Sequence, residues 1–371
     1  MPGTADTSED AKRVSGKPVL LYTFPSSSSF IQRDLDALNA HFDVRAHELL
    51  KGPRWLLPIR LLAQLIWALA NRMWERDVIC HFSGYHAVLP TLLAKRSFVI
   101  LAGSDCASIP AIGYGDHTRR MKGWASRYAA EHATRLLPVH ASLIARNARY
   151  STTVPEKQGI AAFSPGLKTP FTVVPYGFDG ETWYPAVGAQ RDPALFVCVC
   201  GPAAPGNRVH HVKGIDLIVR LAGLLPNARF LLVGLADVHA YTGAPPNLQT
   251  VGRVSGNELR AILSEASFYI QPSLSEGMPN ALCEAMLCGC VPVVSDVASM
   301  PDIVGACGAV LLHEDAALAA KACEKLLALS TGEREAISLQ CRERIATTYA
   351  MATRVKGLLD ALQRDMSAAP R

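Results

Sequence analysis

Short apolar, β-branched runs alternate with longer helical patterns along the whole chain, and they fall into two successive groups. The first comprises PVLLYTF, DVICHF, SFVILAG, RLLPVH and FTVVPYG; the second comprises ALFVCVCG, ARFLLVG, NLQTVG, SFYIQPS and CVPVVS. Apolar runs of this length, separated by helix-length segments, predict parallel sheets joined by crossover helices. Between the groups lies FDGETWYPAVGAQRDPA, rich in Gly, Pro and polar residues and without periodicity, which predicts a linker with its boundary near 185–193. The fold class is therefore α/β: two Rossmann-like parallel-sheet domains, 18–187 and 188–350, facing a central cleft. A polar tail covers 1–17, and a C-terminal helix over 351–371 crosses back to the first domain. A chain of 371 residues with 49% hydrophobic and 19% charged side chains has enough apolar surface for two cores. In open parallel sheets ligands sit beyond the carboxyl ends of the strands, so the functional residues are expected there.

The segment SEGMPNALCEAM, residues 275–286, stands at such a strand end. SFYIQPS ends as a strand, SEG turns, and Pro279 opens a helix through NALCEAML, because its missing N–H costs nothing in a first turn. The following backbone N–H groups, carrying the positive end of the helix dipole, form a ready anion site. Glu276 would repel that anion, so it is expected to face sugar hydroxyls, as ionised carboxylates accept strong hydrogen bonds from vicinal diols. Glu284 lies about one turn into the helix and leans back toward a second diol, such as a ribose. From another strand end, CGPAAPGNRVHHVKGIDL supplies Arg208 and Lys213, two cations that could neutralise a diphosphate. The matching ligand is a nucleotide diphosphate sugar, with no metal required.

These residues resemble the retaining, GT-B-fold glycosyltransferases of family four. That family carries an E-x7-E element, here Glu276 to Glu284, and an Arg-x4-Lys-Gly element, here Arg208 to Lys213-Gly214. VVPYGFDGETWYP is similar to the family's linker, VGRVSGNELRAIL to its Gly-containing strand and following helix, and LLPVHASL to the end of its first domain. The resemblance implies transfer of a sugar to an acceptor hydroxyl with retention of configuration, in glycan or glycolipid biosynthesis. It assigns Arg208 and Lys213 to the diphosphate and Glu276 to the donor sugar. The backbone of Gly277, Met278, Pro279, Asn280 and Ala281 goes to phosphate and sugar, and Glu284 to the ribose. Many members place a histidine before a Gly-x-Asp; this chain has Ala102 before Gly103-Ser104-Asp105, leaving Asp105 and His86 as the polar candidates on the acceptor side. The family's glycine-rich first loop is replaced by TFPSSSSF, whose hydroxyls could cap the next helix or meet an acceptor or phosphate oxygen. A nucleotide-sugar epimerase, a glycogen-phosphorylase-like enzyme and a non-catalytic nucleotide-sugar-binding protein are the alternatives on the same fold.

Other signals carry less. No G-x-G-x-x-G follows any strand, and GPAAPGN lacks the lysine and hydroxyl residue of a P-loop. Asp34 and Asp36 spell D-x-D inside an amphipathic helix, where the two side chains diverge. His210 and His211 are adjacent and expected to diverge as well, and Cys283, Cys288 and Cys290 straddle a helix end and a strand start. No metal site and no cofactor beyond the sugar nucleotide are expected, and no nucleic-acid partner.

The opening MPGTADTSEDAKRVSGK has neither a basic nor an apolar signal region, and ten cysteines lack the spacing of a disulfide framework. Both point to the cytoplasm. Residues 1–150 hold 19 basic and 12 acidic side chains against 18 and 20 in the remainder. A field of that sign suits the inner face of an anionic membrane or an acidic partner, as well as an ordinary solvated face. Within RWLLPIRLLAQLIWALANRMWERD, from Arg54, helical spacing puts Arg60, Gln64, Asn71 and Glu75 on one polar stripe with Trp67 exposed among them. That helix is either a peripheral membrane contact or a plain crossover helix, and it is too interrupted to span a bilayer.

Overall fold

The computed structural model describes residues 16–364 apart from Lys51, so most of the tail expected over 1–17, and residues 365–371, lie outside the described residues. The first lobe is a five-stranded parallel sheet: β1 (Val19–Phe24), β2 (Asp43–Glu48), β3 (Asp77–His81), β4 (Arg96–Leu101) and β5 (Arg135–Pro138), in the order β2-β1-β3-β4-β5. A small antiparallel ribbon follows, β6 (Arg146–Asn147) with β7 (Lys157–Gln158). The second lobe has β8 (Asp192–Val199), β9 (Arg229–Leu235), β10 (Leu248–Gly252), β11 (Ala266–Gln271), β12 (Val291–Ser295) and β13 (Ala309–Leu311). They form one parallel sheet in the order β10-β9-β8-β11-β12-β13. Each sheet grows first to one side and then to the other, which creates a switch point between β1 and β3 and another between β8 and β11. With right-handed crossovers this winding covers both faces with helices. In the first lobe the helices Leu57–Ala70, Tyr85–Leu93 and Arg120–His132 lie side by side on one face, and Ser29–Asn39 shares the other with the C-terminal helix Met351–Arg364.

The central strands are nearly continuous buried runs, as sheets covered on both faces require. Three segments depart from the sequence reading. β2, DVRAHE, is an edge strand without a single fully buried residue, so no apolar run marks it. β13 is only three residues long. FTVVPYG is not a strand: Thr172 N and Val174 N bond to Leu136 O and Pro138 O, and the pairing stops because Pro138 and Pro175 have no N–H to return. The capping box at Ser255–Glu258 does start the helix Gly256–Glu265. All ten cysteines are free and buried.

The helix Leu57–Ala70 reverses the expected orientation. Its polar residue Gln64 is fully buried and donates to His86 O (2.7 Å) and Thr23 Oγ1 (3.2 Å), satisfying groups between helices and sheet. Trp67 is only half-exposed, and its ring centroid lies 5.0 Å from that of His47. Hydrophobic periodicity alone cannot tell which stripe faces inward when a buried polar side chain finds partners.

Asp34 and Asp36 do diverge: Asp36 takes a bond from Gln32, while Asp34 is buried against Arg354 of the C-terminal helix. The Arg354 guanidinium meets both carboxylate oxygens at 3.1 and 2.7 Å and also donates to Val174 O at 2.5 Å. Burial opposes ionisation of Asp34, but the guanidinium outweighs it and holds the carboxyl below its ordinary range. His81, pushed down to about 3 by burial and therefore neutral, bridges the hydroxyls of Tyr22 (2.7 Å) and Tyr176 (2.8 Å) beside this pair. This network fastens the last helix to the first lobe. Arg354→Ala strands the Asp34 charge in the core and is expected to cost about 3–5 kcal/mol in urea denaturation, whereas Arg354→Met with Asp34→Leu costs far less.

Candidate active site

The loops after β8 and β11 leave on either side of the second switch point, and they are joined by their backbones. Leu274 N donates to Val212 O at 2.8 Å. Gly214 adopts φ +67°, and a Cβ there would lie 2.2 Å from Pro272 O, so only glycine lets the two loops touch. Lys213, held between Val212 and Gly214, therefore projects onto the β11 loop, where its Nζ is 2.7 Å from Glu276 Oε1. Gln271 Nε2 (2.7 Å) and Ser273 Oγ (2.9 Å) donate to the same oxygen, leaving Oε2 outside this cluster. Burial alone would depress the Lys213 ammonium, but the Glu276 carboxylate, with help from Cys198 and Cys200, raises it above its ordinary value. Lys213 is a fixed cation.

From Glu276 the chain turns through Gly277 and Met278 into the helix Asn280–Leu287, with Pro279 just ahead of the first helical residue and no side-chain cap. Its first-turn N–H groups therefore have no intrahelical acceptor and none from a cap side chain. Ser299 Oγ steadies the turn by donating to Gly277 O at 2.6 Å. Gly277 is pressed on the first lobe: a Cβ there would lie 1.8 Å from Ala102 O, while one on Gly103 would be 3.1 Å from Gly277 N. The lobes meet backbone to backbone at this point. Met278 is buried, and its Sδ accepts from Tyr176 N at 3.2 Å; Ala281 is half-buried in the first turn of the helix.

Arg33, from the helix Ser29–Asn39, reaches across from the first lobe. It bonds to the Asn280 amide oxygen, lies 3.5 Å from Glu284 Oε1, and stacks over Phe178 at 5.0 Å. Glu284 is only 7% exposed. Burial pushes its carboxyl up to about 7 despite the pull of Arg33.

The structure thus brings Lys213 and Glu276 into contact, sets Glu284 one turn into the same helix against Arg33, and sends Arg208 elsewhere. Arg208 Nη1 donates to Gly113 O of the first lobe at 3.1 Å, so in this state it touches neither Lys213 nor the glutamates through any described hydrogen bond or ion pair. Asp105 is fully buried and accepts from the N–H groups of Ser83 (3.0 Å), Ala102 (3.2 Å) and Gly103 (2.9 Å). Burial pushes its carboxyl up against those bonds. His86 is buried too, pushed down to about 4, with Nε2 at 2.8 Å from His81 O. Both acceptor-side candidates are thus buried: Asp105 serves its own turn as an internal acceptor, and His86 donates to the His81 carbonyl. Ser28 stands at the N-cap of its helix without making the cap bond, and its hydroxyl is unpartnered.

His210 and His211 do not diverge. Both face Asp216, at 2.7 Å from His210 Nε2 and 3.0 Å from His211 Nδ1, while His210 Nδ1 meets Tyr241 OH at 2.7 Å. Asp216 lies beyond Gly214, whose left-handed turn folds the next helix back on them. Arg33 gave no local signal in the sequence, since SFIQRDLDALN reads as an ordinary amphipathic helix. Gln271 and Ser273 were not singled out either; their signal was that polar residues close an otherwise apolar strand.

Residues 203–329 match the family described as glycosyl transferases group 1. Alpha-maltose-1-phosphate synthase of Mycobacterium tuberculosis is 31% identical over 164 residues, 39% of this chain and 42% of that protein. UDP-Gal:alpha-D-GlcNAc-diphosphoundecaprenol alpha-1,3-galactosyltransferase of Escherichia coli is 24% identical over 243 residues, 60% of this chain and 58% of that protein. The chain spans less than two thirds of the length of these curated relatives. Among solved structures, sucrose-phosphate synthase from Thermosynechococcus elongatus superposes with TM-score 0.72 at 15% identity, covering 95% of this chain and 100% of that one. Anabaena HepE in complex with UDP and glucose gives TM-score 0.65 at 12% identity over 93% and 99%. The fold is GT-B. Within the second lobe, residues 203–329 carry the likeness to glycosyl transferases group 1.

Two outcomes test this geometry. Gly214→Ala must break the contact with Pro272, so it is expected to lower stability by about 2 kcal/mol or more in denaturant. Because the folded pKa of Glu284 lies above its unfolded value of 4.5, the native state holds more protons between the two, and that residue's contribution erodes stability as pH rises from about 4.5 through 7. Glu284→Gln removes this slope, so it is expected to gain up to about 3 kcal/mol on the wild type between pH 5 and pH 8, measured by denaturation across pH.

Proposed function

We propose that this protein transfers a glycosyl group from a nucleotide diphosphate sugar to an acceptor hydroxyl, with retention of configuration and without a metal ion or other cofactor. The observation that carries the reading is the Lys213–Glu276 pair at the β8/β11 switch point, 2.7 Å apart beside a helix N-terminus without a side-chain cap. The relatives support it, since their names describe sugar-transferring enzymes and HepE was solved with UDP and glucose.

In this reading the diphosphate sits between the first-turn N–H groups of the helix Asn280–Leu287 and the Lys213 ammonium. Glu276 keeps that ammonium charged through Oε1 and offers Oε2 to a donor-sugar hydroxyl. Glu284 accepts from the ribose, and ligand contact favours its ionised form. Arg208 exchanges the neutral Gly113 carbonyl for the diphosphate. Breaking the bond from the anomeric carbon to phosphate oxygen leaves its electron pair on the nucleotide, and the fixed cation and helix dipole stabilise that growing charge more in the transition state than in the ground state. The acceptor hydroxyl bonds the anomeric carbon through its oxygen and gives its proton to the departing phosphate oxygen, which holds the electron pair released by the broken bond.

A thermal-shift screen of UDP, GDP and ADP identifies the base, because ligand at 100 times its dissociation constant adds about 2.7 kcal/mol. With the stabilising sugar nucleotide, Lys213→Ala is expected to cut turnover about 100- to 1000-fold in a variant that remains folded. Turnover at the wild-type rate by the folded variant rejects the assignment. Activity that survives EDTA and a product of unchanged anomeric configuration by NMR are the outcomes expected for the finer claims.

A further inference from the structure

We infer that the helix Leu57–Ala70 seats the first lobe on an anionic lipid surface. Trp55 is 77% exposed, Ile59 62%, Leu62 57%, Ile66 59% and Leu69 53%. Their spacing of four, three, four and three residues places them on one stripe running the length of the helix, outward from the lobe. Single exposed apolar side chains are ordinary on a protein surface, whereas five large ones in a row are not. The same layer continues at its cleft end with exposed Met121 and Trp124 on the helix Arg120–His132.

Charge selects the occupant. Residues 51–127 contain eleven Lys and Arg against four Asp and Glu. All four acids are engaged internally: Glu75 with Arg72, Asp77 with Arg96, Asp116 with Lys122, and Asp105 with backbone N–H groups. Exposed Arg119 and Arg120 stand at the start of the helix Arg120–His132, and exposed Lys95 follows the helix Tyr85–Leu93. A second copy of the chain meeting this face would oppose like charges, whereas anionic headgroups attract them while the interface accepts the apolar stripe. The helix has fourteen residues, and among the described residues no helix is long and apolar enough to cross a membrane, so it would lie in the plane of the interface.

The direction of the chain gives this surface a role. Trp55 follows the carboxyl end of β2, and Arg119 to Trp124 follow that of β4, so the lipid-facing layer reaches the rim of the cleft. Given the proposed transfer reaction, the acceptor hydroxyl would then be presented from the lipid surface, as part of a lipid-linked molecule.

Flotation with vesicles of phosphatidylcholine, with and without phosphatidylglycerol, tests the docking separately from the chemistry. The wild type is expected to float with the anionic vesicles, increasingly less so as salt is added, and Leu62→Glu with Ile66→Glu is expected to weaken this about tenfold or more. Thermal stabilisation by the sugar nucleotide, unchanged in that variant, shows that the fold and donor site are intact. Wild-type protein that stays with the soluble fraction overturns the inference, as does equal flotation of the variant. A wild-type dimer that the same substitutions split, without flotation, assigns the stripe to a second copy instead.

Discussion

The site depends on two loops being able to touch. β8 and β11 are neighbours in the second sheet, yet their chains leave in opposite directions, so their ends diverge unless something closes the gap. Gly214 closes it by giving up a side chain at a left-handed position, and the bond from Leu274 to Val212 fixes the register. Once that is done, the next side chain back, Lys213, has little choice but to meet Glu276. Three donors converge on one carboxylate oxygen, so the carboxylate plane is set, and its second oxygen is aimed by the protein rather than by the ligand. Preorganisation of this kind lets an ion pair act on a substrate without reorganising during the reaction.

The two lobes are coupled through backbone and charge together. Gly277 against Ala102 brings the chains into direct contact, and Arg33 then lies near a helix that belongs to the other lobe. Glu284 is buried on the second lobe with one cation supplied by the first, and burial wins, leaving a carboxyl that is easily protonated. In the proposed reading, a ribose diol at Glu284 would supply hydrogen bonds to the charged form and so link ligand binding to proton release at this residue.

Most of the second lobe was legible because its signals are local. A capping box, a proline ahead of a helix and an apolar strand ending in polar residues each depend on neighbours within a few positions, and the helices at Ser255 and Pro279 lie close to where those signals put them. The pairing of Lys213 with Glu276 follows from the topology plus one glycine. What could not be read were contacts set by the packing of distant segments. Arg33 meets Asn280 and Glu284 only because the lobes touch, and nothing in SFIQRDLDALN encodes that. Asp105 and His86 carry polar chemistry, but Asp105 is buried as the acceptor of its own turn and His86 as a donor to the His81 carbonyl. The helix Leu57–Ala70 misled because Gln64 turned inward to partners on the sheet and a neighbouring helix, so polarity marked the buried side.

The chain passes between the lobes twice, and the two passages run side by side. Phe178 N donates to Tyr349 O, Met351 N returns a bond to Phe178 O, and Gly177 lies so close to Met351 that no Cβ would fit between them. Two strands of connection zipped together behave as one strap rather than as two independent tethers. Sliding of one lobe past the other would tear those bonds, while rocking about the strap leaves them whole, so this seam reserves for the protein a single inexpensive motion: opening and shutting like a book about its spine.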